Sequence, residues 1–553
     1  MQLGESVVAL RRRGRRGSRG IRRVVDGARG LSPSVTLAWA ARRATGTLPP
    51  RHENSSFTWA IADHRTTTIA WLHNYWSDAY GIDRPQLSAE LFDRSGASVA
   101  RWSVDLEPDE TTSIDVREQC RSHGVSLPFE GQLLLRLADD KLMAGRPVQL
   151  FAEYERDDGE STGVHGQYGE MEMPAAQVVS AMRVDARGGN RTAVILMNPY
   201  NGPGGPTPMR ADLTVLSADG RHQRARLPAL APRATRHVYV DEVFPDLARF
   251  LGDQPGHLRL KLPCPSSRVS TSVEYDDGRC IANHGTVDRV FDQGAGRPVE
   301  SAEAGPVASA FVICDDQWET ELTFPNVWGP VAGAYEAQID VFAGDGAHLV
   351  THAVHVPRDG LVQVAMTSVL RDAGVALPVV AHAQVSVRPE ATVDEWPAAF
   401  DILVGLLRGD QLVGEVQVGS DFYNAAVPAG VRWPDIRRTR VFGRVRLGGG
   451  LRTRVFLSHP MAGIDGASIA PARPQLTLVS SDGTRKLTRE VEIPVHGCLL
   501  ADVTDLFPEA PQFLGESGSG TLRVRDTGAR LYGFYYVESD RARTVPVCHL
   551  IGG

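Results

Sequence analysis

The sequence predicts an all-β fold of four tandem β-sandwich domains, each of roughly 120 residues, and three observations predict it. First, one seven-residue phrase recurs four times: Thr68-Ile-Ala-Trp-Leu-His-Asn74, Thr192-Ala-Val-Ile-Leu-Met-Asn198, Thr320-Glu-Leu-Thr-Phe-Pro-Asn326 and Thr453-Arg-Val-Phe-Leu-Ser-His459. Second, each phrase is followed by an apolar pair and, after two residues, by Asp-Gly or Ser-Gly, at Gly96, Gly220, Gly346 and Gly483. Third, 55 Gly and 35 Pro among 553 residues supply turn punctuation at the density that many short strands require.

Each phrase reads as a strand. Apolar side chains two and four places after the threonine share one face of a pleated ribbon, and Thr, Val, Ile and Phe suit such a half-buried surface. The glycine after the apolar pair tolerates positive φ and closes a hairpin into the next strand; the clearest case is Ser480-Ser-Asp-Gly483 before Lys486–Ile493. A further strand precedes the phrase, at Val178–Met182 in the second unit and Val307–Phe311 in the third. The second and fourth units also share Phe-Pro, four residues and Phe-Leu-Gly, at Phe244–Gly252 and Phe507–Gly515. Together these give about seven strands per unit.

The predicted organisation is a basic arm, residues 1–50, then sandwiches at 51–172, 173–295, 296–430 and 431–553. Linkers are expected at Met173–Ala176, Gly294–Pro298 and Val427–Gly430, where Pro, Gly and Ala collect. The arm holds 11 Arg against Glu5 and Asp26, a net +9, whereas the whole chain carries −7. Arg11, Arg12, Arg13, Arg15 and Arg16 form its densest cluster. Such an arm on an acidic body suits contact with phosphate or carboxylate groups, nucleic acid among them, or a solvated leader. No apolar run is long enough for a membrane span. Six scattered cysteines without a CxxC pair favour reduced thiols and a cytoplasmic location, with Cys264–Cys280 as the one hairpin pairing open to oxidation.

No GxSxG, P-loop, HExxH or paired CxxC is present. No cofactor and no metal is expected; His352 and His355 are three apart on a strand and so point to opposite faces. Two features point to binding instead. His165-Gly166 and His284-Gly285 each follow an acidic turn after a Glu-Tyr strand, which marks an equivalent position in two units and a shared ligand site or a structural turn. Aromatic residues concentrate between Phe57 and Trp102. Alternation turns Trp59 and Leu72 inward and leaves Trp76 and Tyr80, in the loop after the strand, to meet a sugar ring or a protein.

Leu230-Ala-Pro-Arg-Ala-Thr-Arg-His-Val238 resembles the corresponding stretch of the Anabaena sensory rhodopsin transducer family, and the similarity touches Asn198 and Glu274–Ala282, about one quarter of the chain. The other units depart at Arg-x-Thr, with Thr111-Thr-Ser113, Asp359-Gly-Leu361 and His496-Gly-Cys498 in its place. The resemblance implies a β-sandwich and a non-enzymatic binding role. The expected function is a binding or scaffold protein recognising carbohydrate or protein, against an enzyme with an inter-domain site or an assembly subunit with a nucleic-acid-binding arm.

The arm reading predicts that deleting residues 1–50 abolishes retention on nucleic acid and that retention by the full chain falls steeply with salt. Salt-independent retention contradicts it.

Overall fold

Every unit begins with the same change of sheet, and the recurrent threonine fastens it. In the first unit β1 (Glu53–Ala62) runs alongside β6 (Phe129–Ala138) and meets β2 (Thr66–His73) only at Ala62 and Thr67. The Thr68 hydroxyl accepts the Ile61 N–H at 2.9 Å across this corner. Thr192, Thr320 and Thr453 do the same for Asp185, Ile313 and Arg446, at 2.8, 2.9 and 2.8 Å. All four threonines are fully buried, so each hydroxyl satisfies a backbone group that water cannot reach.

The computed structural model describes residues 53–138, 148–169, 177–198, 208–262, 269–287, 297–298, 307–327, 333–389, 395–396, 400–419, 439–460 and 470–552. They belong to one compact unit, Arg51–Gly553. The arm, Cys264 and the linkers expected at 173–176 and 427–430 lie outside the described residues, as does most of the linker expected at 294–298.

The fold is all-β. The remaining strands of the first unit are β3 (Gln86–Asp93), β4 (Ser98–Val104), β5 (Thr111–Asp115), β7 (Leu150–Arg156), β8 (Ser161–His165) and β9 (Gln167–Gly169). One sheet has the order β4-β3-β6-β1-β9 and the other β5-β2-β7-β8, all antiparallel. The same two orders recur in the second and fourth units and, among the described residues, in the third without the counterpart of β9. Each sandwich therefore has eight or nine described strands against the seven expected, because edge strands such as β5 and β8 are too short and too mixed in character to be read from alternation.

The second landmark is the β3–β4 hairpin and its three counterparts, and its glycine does more than turn the chain. Gly96 sits on Pro232 and Ala234 of the second unit, Gly220 on Arg358 of the third, Gly346 on Val495 of the fourth, and Gly483 on Pro108 and Asp109 of the first. Each glycine has positive φ, between 72° and 91°, and a Cβ at any of them would fall far inside contact distance of a backbone oxygen. Beside each glycine one backbone bond crosses the seam: Thr235 N–H to Arg94 O at 3.2 Å, Leu361 to Ala218 at 3.1 Å, Cys498 to Gly344 at 3.2 Å and Thr111 to Ser481 at 2.7 Å. The fourth contact returns to the first unit, so the four sandwiches close into a ring.

The receiving residues, Arg233, Asp359, His496 and Asp109, are four of the five non-glycine residues with positive φ among the described residues. This fixes the alignment of the units. The counterpart of Arg233-Ala-Thr235 in the first unit is Asp109-Glu-Thr111, two residues earlier than the sequence pattern places it. The recurrent Asn braces the same segment: the Asn198 side chain donates to Leu230 and Ala231, Asn326 to Gly333 and Pro357, and Asn74 to Asp83 and Glu107.

Neighbouring sandwiches also stack sheet on sheet, and the residue nine places before each threonine fills the seam. Trp59 meets His237 edge-on at 5.4 Å and Phe311 meets Phe534 at 5.4 Å. At the other two seams the position is arginine: Arg183 donates to Glu415 at 2.6 Å and Glu321 at 2.8 Å, while Arg444 pairs with Glu153 and lies 3.1 Å from the centre of the Trp71 ring. At this one position aromatic and arginine residues alternate, although the fourth–first seam also stacks Phe442 on Tyr75 at 5.2 Å and sets Phe151 edge-on to Tyr535 at 5.2 Å. The units alternate likewise: the first and third carry helices Val116–Ser122 and Met366–Asp372, and the second and fourth carry shorter pairs ending at Gly252 and Gly515. These helices follow the strand that leaves the seam and were not legible as periodic segments.

The strand entering the seam adds a polar side chain at one equivalent position. Gln132 donates to the Arg233 carbonyl, His257 to the Asp359 carbonyl at 3.0 Å, His382 to the His496 carbonyl at 3.3 Å, and Thr521 bonds Thr111 at 2.6 Å. Burial pushes His257 down to about 4 and His382 to about 3, so both imidazoles are neutral in the ring.

Two predictions follow from the seams. Gly220→Ala is expected to cost about 2–4 kcal/mol, through positive φ and the clash with Arg358, measured by denaturant unfolding; a loss below about 0.5 kcal/mol would contradict the seam geometry. For the histidines, the unfolded chain binds protons near pH 6.5 and the folded chain resists until 4 or 3. Stability is therefore complete above pH 6.5 and falls below it by about 1.4 kcal/mol per pH unit for each group. Melting temperature should drop between pH 7 and 5, and less so in a His257→Gln, His382→Gln chain; identical pH dependence of the two chains counts against it.

Candidate functional site

The edge strands β8, Cys280–His284, Gln411–Gly419 and Val547–His549 face one another where the four units converge. Backbone and side-chain contacts join them: the Ala282 N–H donates to the Thr162 hydroxyl at 2.8 Å and the Val545 N–H to the Val413 carbonyl at 2.8 Å. Register fixes one equivalent residue in each. His165 pairs with Phe151, His284 with Ser270, Gln417 with Leu403 and His549 with Phe534.

Three of those four residues are histidine, and their rings meet. The His165 and His284 centroids are 4.2 Å apart, and His165 and His549 are 5.9 Å apart. One ring nitrogen from each of the three lies within 4.8 Å of the others. His165 Nδ1 bonds the Gly166 carbonyl at 3.0 Å and His284 Nδ1 the Gly285 carbonyl at 3.3 Å. A carbonyl only accepts, so Nδ1 carries a proton in both rings. Burial pushes His549 down to about 4, against a hydrogen bond with the Gln417 backbone that favours the protonated ring. The site thus gathers three imidazoles on the ring axis.

The sequence identified His165 and His284 as equivalent and the structure brings them together. It did not identify His549, because the fourth unit has Leu550 where the first and second have Gly after the histidine and its histidine lies nine residues beyond Asp540 of the Ser539-Asp540 turn. The strand register, absent from a linear pattern, is the signal that finds it.

The aromatic expectation needs correcting. Trp76 opens a short helix, Trp76–Tyr80, and is fully buried, tilted against Tyr75 at 4.6 Å between ring centres. The Asn74 side chain, two residues before it, donates to the Asp83 and Glu107 carbonyls and folds the loop back into the core. Tyr80 is half-buried, 6.4 Å from Tyr75. Trp59 and Leu72 are buried as expected. The loops after Asn198, Asn326 and His459 lie largely outside the described residues.

A cleft of about 350 Å³ lies between the first and second units, where an inter-domain active site would be sought. Its polar groups serve structure. Glu274 accepts from the Tyr239 hydroxyl at 3.0 Å, and Glu160 from Arg543 at 2.6 Å and Thr544 at 2.8 Å. Cys280 is a free thiol that burial pushes up to about 12, which makes it inert as a nucleophile.

No family model matches the chain, and no curated protein does. Among solved structures, a glycosyl hydrolase family 2 member from Bacteroides cellulosilyticus is 12% identical, over 45% of this chain and 29% of its own, with a TM-score of 0.10. A tetra-tandem repeat from the extending region of a large adhesion protein is 10% identical over 89% of this chain and 97% of its own, TM-score 0.08. The BSP domain of a biofilm-associated protein is 8% identical over 90% and 96%, TM-score 0.14. Scores this low carry no argument about arrangement or activity.

The burial of Trp76 predicts that Trp76→Ala destabilises the chain by about 3–5 kcal/mol, whereas Tyr80→Ala costs under about 1.5 kcal/mol. Calorimetry of the two variants checks this; equal, small effects would return Trp76 to the surface.

Proposed function

We propose that the chain is a non-enzymatic binding or scaffold protein with a carbohydrate or protein partner. The observation that carries this reading is the repeated seam: four copies of one hairpin contact and a set of buried charge pairs are committed to holding sandwiches in fixed relation. A rigid frame with divergent loops is how sandwich proteins present binding surfaces. The loop after His459, the longest of the four, is the preferred contact segment. The resemblance of the second unit to the transducer family agrees with a binding role. Its segment Leu230–Val238 contains the residues that receive the Gly96 hairpin, so part of that similarity belongs to the frame. No helix among the described residues is long and apolar enough to cross a membrane.

A glycan array and a pull-down, both with the full chain, separate the carbohydrate and protein readings. Replacing residues 461–469 by a Gly-Ser segment of equal length should reduce capture at least tenfold with an unchanged melting temperature. Turnover of a substrate by the purified chain, or capture insensitive to all four loop replacements, would contradict the proposal.

A further inference from the structure

We propose that His165, His284 and His549 form a binding site for one divalent transition-metal ion, zinc being the best fit, that clasps the first, second and fourth units on the ring axis. The donor set is nitrogen only, and imidazole suits zinc, copper, nickel and iron, not magnesium or calcium. The three nitrogens lie within 4.8 Å of one another. On a tetrahedral zinc ion two imidazole nitrogens stand about 3.3 Å apart, so rotations of the rings and an inward shift of the strands of about 1 Å complete the geometry.

Two further observations favour a ligand site over a stack of core histidines. Each ring is oriented by a backbone carbonyl: Gly166 for His165, Gly285 for His284 and the Gln417 backbone for His549. That is the outer-shell arrangement by which metal-ligating histidines are held, with one nitrogen donating to the protein and the other turned to the ion. The site is also assembled from three units, where edge strands of the first, second and fourth meet. An ion there ties the fourth unit to the first and adds its binding free energy to ring closure. The fourth equivalent position is Gln417, whose side-chain amide donates to Asp401 at 2.5 Å, so the site holds three histidines.

The test uses the full chain after chelation and dialysis, titrated with cobalt(II) alone and then with zinc(II). The expected result is one cobalt per chain, with visible d–d bands of a nitrogen-rich four-coordinate ion, displaced by one equivalent of zinc. Zinc is also expected to raise the melting temperature. His549→Gln should weaken cobalt binding at least tenfold, while His352→Gln together with His355→Gln leaves it unchanged. Gln417→His adds a fourth imidazole and should tighten binding at least tenfold, which decides the matter even where His549→Gln fails to fold. Absence of stoichiometric binding, binding equal in a folded His549→Gln chain, or binding unaltered by Gln417→His would each overturn the proposal.

Discussion

The ring depends on one contact repeated four times: a hairpin glycine seated directly on the backbone of the next sandwich. Gly96, Gly220, Gly346 and Gly483 all bring positive φ and no Cβ to places where a carbonyl oxygen occupies the space a side chain would need. The receiving residue pays with positive φ of its own, and the Asn or His at the end of the threonine phrase lies behind it. Hairpin, receiver and bracing side chain thus form one device, and their near-constant spacing in sequence is a consequence of that device being built four times.

Around this device the seams differ in chemistry. Trp59 and Phe311 bury aromatic surface, where loss of a ring would leave a cavity. Arg183 and Arg444 at the equivalent positions of the other seams are buried charges whose carboxylate partners sit on the neighbouring unit. Removing one partner of such a pair is strongly destabilising, whereas the pair as a whole contributes little beyond an apolar replacement. Their alternation, matched by the alternating helices, makes the first and third units the closer relatives, and the second and fourth.

Much of this was legible in the sequence. The threonine phrase and the Asp-Gly landmark are local patterns of period two and of turn chemistry, and both are strands and hairpins where expected. The reason for the threonine was not legible, because its partner is a backbone N–H seven residues away across a corner. The closure of the array into a ring was not legible either, since a seam between Thr111 and Ser481 leaves no mark on the spacing within either unit. At the axis, the His-Gly pattern revealed two histidines and missed His549, whose equivalence rests on pairing with Phe534. Trp76 illustrates the opposite error: a loop position suggested exposure, and the carbonyls that Asn74 holds fold that loop inward.

The central claim is that four sandwiches close on themselves instead of forming a string, and small-angle X-ray scattering of the full chain tests it most directly. A closed body of this length should have a radius of gyration of about 24 Å. A string of four sandwiches, each about 35 Å across, would give about 40 Å, and a value in that range would contradict the ring.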